Sequence, residues 1–202
     1  HDPDRHWMKD FTGHFVVTSS TKDDKDRRIC WGIAPKGWSL PRVLTLRPDG
    51  RLNQQPPEEL KKLRDKHYNS TDITLTNDTY VVNEIKSDLL EIEVEFEPGS
   101  ASGFGIKVRR SDDGERFVQI SCDGRRLEVQ GDKAPADLME EESTLRLHLF
   151  LDQHCMELFA NDWVVYTESM SADPSDLGIE LFSVGGTTKI KNLDIWKLAS
   201  IW

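Results

Sequence analysis

The sequence predicts an all-β protein, an antiparallel two-sheet β-sandwich of jelly-roll-like form. Three observations carry this. In Leu90-Glu91-Ile92-Glu93-Val94-Glu95-Phe96-Glu97 apolar and acidic residues alternate strictly, the period of a strand with one buried face. Short alternating runs are separated by Asp-Gly and Gly-Gly pairs, the chemistry of tight hairpin turns. Only Pro56-Pro57-Glu58-Glu59-Leu60-Lys61-Lys62-Leu63-Arg64 reads as helix, one or two turns long, with proline and acids in the first turn and bases in the last.

Taken along the chain, His14 to Thr18 and Arg27 to Ile33 read as strands in a polar segment rich in Asp and Lys, with a boundary near Pro35-Lys36-Gly37. Leu90 to Glu97 should bury Leu90, Ile92, Val94 and Phe96 and leave its glutamates in water. Gly103 to Val108, Arg116 to Ile120 and Arg126 to Val129 are divided by Asp113-Gly114 and Asp123-Gly124, where glycine supplies positive φ. Leu145 to Leu151 again alternates, and Met156 to Phe159 follows after a short connection. Gly178 to Val184 and Lys189 to Leu198 flank Gly185-Gly186. Roughly ten to twelve strands result, close-spaced as in an antiparallel sandwich.

With 37% hydrophobic and 31% charged residues and no apolar run long enough to span a bilayer, the composition is that of a globular protein that does not cross a membrane. The net charge of −10 repels polyanions, so nucleic acid and anionic lipid are excluded as partners and a neutral ligand such as a sugar fits better. Cys30, Cys122 and Cys155 form no metal or disulfide spacing and are expected to be buried free thiols. His1-Asp2-Pro3-Asp4-Arg5 begins no leader pattern, and extracellular and cytoplasmic placement both stay open. No cofactor and no metal are expected.

Among the six tryptophans, Trp196 is expected in the core beside Leu193 and Ile195, and Trp31 and Trp38 are expected to pack at the domain junction. Trp163, just after Asn161-Asp162 in an expected hairpin, is the candidate for contact with carbohydrate. Glu91, Glu93, Glu95 and Glu97 read as a solvated strand face, not a metal ladder. Asp152, His154 and Glu157 read as structural hydrogen-bonding residues, because no second histidine or paired carboxylate assists them.

Several of these segments also resemble a known family. Arg28-Ile29-Cys30-Trp31-Gly32, Gly37-Trp38-Ser39-Leu40-Pro41-Arg42-Val43-Leu44-Thr45-Leu46, Asp49-Gly50-Arg51-Leu52-Asn53-Gln54-Gln55-Pro56, Gly103 to Arg109 and Leu147 to Asp162 are similar, in order, to the end of glycoside hydrolase family 32, the invertases, levanases and inulinases. There a five-bladed β-propeller ends in an "RR-x-x-W-G-W" strand, and "S-L-P-R-x-L-x-L" leads into a C-terminal β-sandwich. The resemblance implies that residues 1–36 are a partial blade or linker, a short N-terminal remnant of the propeller, and that 37–202 form the sandwich.

It also implies what is missing. The family hydrolyses β-fructosides with retention, using an aspartate in W-M-N-D-P-N-G, an R-D-P aspartate and an E-C glutamate; a nucleophile and an acid/base about 5 Å apart are the minimum for this chemistry. Here no Arg-Asp-Pro occurs, and Ile29, Ser121 and His154 precede the cysteines. Trp7-Met8-Lys9-Asp10-Phe11-Thr12-Gly13 matches W-M-x-D-x-x-G, but its Asn and Pro are replaced and it stands far closer to Ser39-Leu40-Pro41-Arg42 than in the family. Asp10 is thus the only catalytic candidate. The expected function is that of a structural, accessory sandwich of a β-fructosidase-like hydrolase, meeting sucrose or fructan through the full enzyme and partnered by a propeller domain or a second copy. A free-standing lectin-like module is the alternative, and a small glycosidase using Asp10 is another.

Overall fold

The computed structural model describes residues 16–34, 37–48, 50–134, 143–153 and 155–199; Asp10, His154 and Trp202 lie outside them. The described residues form seventeen strands and one 3-10 helix. The strand count exceeds the expected one because several edge strands are too short or too polar to show apolar alternation.

The first sheet holds β1 (Val16–Lys22), β2 (Arg28–Ala34), β3 (Gly37–Trp38), β4 (Arg42–Leu46) and β5 (Leu52–Gln55), in the order β1-β2-β4-β5 with β3 paired to β2. The boundary expected after residue 36 falls inside this sheet, since Ile33 pairs with Trp38 and Ile29 with Val43. The 3-10 helix Glu58–Leu63 follows, where the short helix is expected; Pro57 sets its start and Arg64 its end.

Two six-stranded antiparallel sheets then make the sandwich. One has the order β15-β14-β13-β8-β17-β6, from β6 (Arg64–Thr76), β8 (Leu89–Glu97), β13 (Leu145–Asp152), β14 (Cys155–Ala160), β15 (Val164–Ser169) and β17 (Thr187–Leu198). The other has the order β12-β11-β10-β9-β16-β7, from β7 (Thr79–Val82), β9 (Gly103–Arg110), β10 (Val118–Cys122), β11 (Leu127–Val129), β12 (Asp132–Lys133) and β16 (Gly178–Val184).

Their inner faces form one continuous core. Leu90, Ile92, Val94 and Phe96 of β8 meet Phe104, Ile106 and Val108 of β9, and Leu145 to Leu151 contributes every second residue, as the alternation predicts. The rings of Phe96 and Phe104 lie 5.4 Å apart between centroids. Gly114 and Gly124 take φ of 79° and 85° in the predicted hairpins, and Asn161 and Asp162 take 47° and 64° between β14 and β15, the paired positive values of a two-residue hairpin turn.

At one edge the chain passes from β6 to β7, that is from one sheet to the other. The hydroxyls of Tyr68 and Tyr80 hydrogen-bond at 2.6 Å across that edge. Burial, followed by this bond, pushes the Tyr68 hydroxyl up to about 12.

Gly105 of β9 is required by close approach. A Cβ there would lie 2.0 Å from the Ile120 carbonyl oxygen of β10, closer than the backbone tolerates. Gly105→Ala is expected to destabilise by about 1–3 kcal/mol, lowering Tm by about 2–4 °C per kcal/mol in a chain of this size. Thermal denaturation checks it, and an unchanged Tm would show that β9 and β10 part without cost.

Candidate functional site

The polar chemistry of the chain concentrates on the outer face of the β6/β8/β13–β15/β17 sheet. Part of that face is covered by the segment around Leu40 and Arg42 and by the 3-10 helix. Phe150, Phe159 and Val165 are buried there against Leu40, Leu60 and Leu198, and in their midst sits Arg42, 0% exposed. Its Nη2 donates to Thr167 Oγ1 at 2.8 Å and to Glu157 Oε2 at 3.2 Å, and its Nη1 to Gln54 Oε1 at 3.2 Å. The other Glu157 oxygen accepts from the Leu40 backbone N–H. A buried guanidinium is tolerable only with such partners, so β4 is fastened to β14 and β15 by one side chain. The structural hydrogen-bonding role expected of Glu157 is the one it plays. Alongside, the Gln54 N–H donates to the Asp162 carbonyl at 2.6 Å.

Trp163 lies just past this hairpin turn. It is half-buried, packs against the main core, and has the Arg51 guanidinium over its ring at 4.9 Å, a cation–π arrangement.

Next to the covered part, Arg64, Glu91, Glu93 and His148 come together. Glu91, expected in water, is 1% exposed. Arg64 grips it with two hydrogen bonds, Nε to Oε2 at 2.8 Å and Nη2 to Oε1 at 2.7 Å, and His148 Nε2 lies 2.7 Å from Oε1. β8 is a central strand flanked by β13 and β17, and the side chains of Arg64 and of His148 from β13 cover Glu91 on its outer face. Burial pushes the Glu91 carboxyl up, but the hydrogen bonds from Arg64 and His148 outweigh it and hold the group below its ordinary value.

Glu91, Glu93 and His148 bring one ligand atom each within 4.8 Å of one another. Oxygen and imidazole donors suit a divalent cation, yet Arg64 already lies against both carboxylates and supplies the positive charge. Both Glu91 oxygens are engaged by Arg64 and His148, and the side chain is 1% exposed, the arrangement of a structural ion cluster. The cluster borders a groove of about 190 Å3 lined by Pro56, Leu60, Glu91, Glu93, His148 and Phe150.

Trp196 was expected in the core; it lies half-buried on this outer face. Its ring stacks on His67 with centroids 4.7 Å apart, and Arg64 Cζ lies 3.4 Å from its centroid. His67 Nε2 meets Asp194 Oδ1 at 2.7 Å. The signal was in the sequence: Leu193 and Ile195 face inward, so period two sends Asp194 and Trp196 outward.

Cys30 and Cys122 are buried and Cys155 half-buried, all free. Burial raises the Cys122 thiol to about 11, and burial with Glu157 nearby raises Cys155 to about 12, which keeps them unreactive. Trp31 is half-buried, whereas Trp38, expected to pack, is 68% exposed.

Fold and site together define a β-sandwich module clamped through Arg42 to a second, N-terminal sheet. The chain belongs to glycoside hydrolase family 32, of which it carries the C-terminal portion: the description "Glycosyl hydrolases family 32 C terminal" matches residues 59–197. It is 30% identical over 187 residues to a levanase of Bacillus subtilis (strain 168), covering 81% of this chain and 27% of that protein. Among solved structures, exo-inulinase from Aspergillus awamori is similar with a TM-score of 0.78 at 21% identity, covering 96% of this chain and 44% of that one. Fructan 1-exohydrolase IIa from Cichorium intybus is similar with a TM-score of 0.78 at 17% identity, covering 93% and 48%. At these identities the structures share the fold. The chain thus spans about a quarter of the levanase and under half of the two structures.

Proposed function

We propose that this chain is the accessory sandwich of a β-fructosidase-like enzyme, with residues 16–55 completing the last blade of a propeller that holds the catalytic carboxylates and acts on sucrose or fructan. The observation that carries it is the outward face of the first sheet. Ile29, Trp31 and Ile33 alternate on β2, Val43 pairs with Ile29, and Trp38 pairs with Ile33. All five therefore share the face opposite Cys30 and Arg42. Ile33 and Trp38 are exposed there, and an apolar sheet face of this kind calls for another layer of protein. The boundary between units is drawn at the 3-10 helix instead of after residue 36, because β3 and β4 hydrogen-bond to β2.

The test is fructose release from sucrose, inulin and levan. Protein carrying the upstream propeller is expected to release fructose, and the chain alone none. Release by the chain alone would overturn the reading and return attention to Asp10.

A further inference from the structure

The sandwich has a second outer face, that of the β7/β9–β12/β16 sheet, which points away from the clamped N-terminal sheet. Its register sets a row of outward positions across five strands: Phe182 opposite Gly105, Gly105 opposite Ser121, Ser121 opposite Glu128, and Glu128 opposite Lys133. Gly105 can carry no side chain, as its Cβ would strike Ile120, and Gly103 beside it on β9 has none either. The middle of the row is therefore hollow. The depression measures about 230 Å3, bounded by Phe182 on one side and by Arg126, Glu128 and Lys133 on the other, with Gln119 and Ser121 in its floor.

Three features bear on what fits there. Two acids, Asp123 and Glu128, and two bases, Arg126 and Lys133, line the hollow, so its charges cancel and favour a neutral ligand. Among the described residues, the Gln119 amide and the Ser121 hydroxyl have no hydrogen-bond partner, and both are half-buried. Such groups suit a ligand rich in hydroxyls. The volume lies below the roughly 300–1,000 Å3 of enclosed small-molecule pockets, which limits the occupant to about one ring and leaves room for a chain to run past. Lys107 Nζ, at 5.5 Å from the Phe182 centroid, caps that ring from the neighbouring row.

We propose that this hollow is a carbohydrate-contact site for one sugar ring of a neutral glycan, held by Gln119 and Ser121. The choice of fructan as the first glycan rests on the proposed function; the site itself does not.

Affinity electrophoresis of the intact protein, with its upstream region, tests it in gels containing levan, inulin, dextran or mannan. Two variants block the hollow differently. Gln119→Ala with Ser121→Ala removes the polar floor, and Gly103→Leu fills the space where a Cβ meets nothing within 4 Å. Circular dichroism establishes that both fold. Retardation by levan or inulin that weakens about tenfold in the double variant and is lost in Gly103→Leu, with sucrose hydrolysis unchanged, is the expected result. Retardation by dextran or mannan alone, lost in the same variants, supports the site and counts against the fructan reading. Retardation by no glycan, or retardation that survives both variants, overturns the proposal, while fructose release continues to decide the proposed function separately.

Discussion

Arg42→Ala is expected to cost about 3–5 kcal/mol, because it leaves Glu157 as a buried, uncompensated charge. Arg42 is fully enclosed and bonds Glu157, Thr167 and Gln54 at once, so no water replaces it cheaply. At about 2–4 °C per kcal/mol this amounts to a Tm lower by about 6–20 °C. The variant also releases β4 from β14 and β15, so the first sheet should become sensitive to protease while the sandwich core stays protected. Arg42→Met combined with Glu157→Leu removes both charges and should recover most of the loss, since apolar replacements of a buried pair are often neutral. Urea denaturation of the single and double variants gives the numbers. A single-variant cost under about 1 kcal/mol would place the pair among surface ion pairs and would mean that Arg42 is no clamp.

Glu91→Gln is expected to cost about 3 kcal/mol at neutral pH, as it takes the negative charge from between Arg64 and His148. The pH dependence has a definite sign. The folded Glu91 titrates below its ordinary value of 4.5, so the unfolded chain binds the proton first. The stabilisation is fully present above the unfolded value and is lost as pH falls through the lower folded one. The stability gap between wild type and Glu91→Gln should therefore close as pH falls below about 5. A gap that widens on acidification would mean that Glu91 is protonated in the fold, and the ion cluster would be wrongly drawn.

The inward faces were legible because period two is a local property. Leu90, Ile92, Val94 and Phe96 are buried, and the Asp-Gly turns fall where their φ requires. The same pattern could not tell that Glu91 would be buried too. That depends on which strands lie beside β8, on the Arg64 arm, and on the short helix and first sheet nearby, all of them distant in sequence. Trp196 was readable and misassigned: its phase relative to Ile195 puts it outward. The long strand β6 left no apolar signature, because as an edge strand it buries only Leu75. The hollow beside Phe182 was not legible. It arises from cross-strand register, which aligns Gly105 between Phe182 and Ser121.

The exposed flank of β6 has a consequence for solution behaviour. Among the described residues its thirteen residues pair with β17 alone, and an edge of that length is a template for a stray strand. Asp65 and Lys66 place charges on it, and Asp72, at φ 56° and paired with Lys189, kinks the edge part-way along. An incoming strand would meet an interrupted ladder with charges to desolvate, so the module is guarded against stacking edge to edge into aggregates.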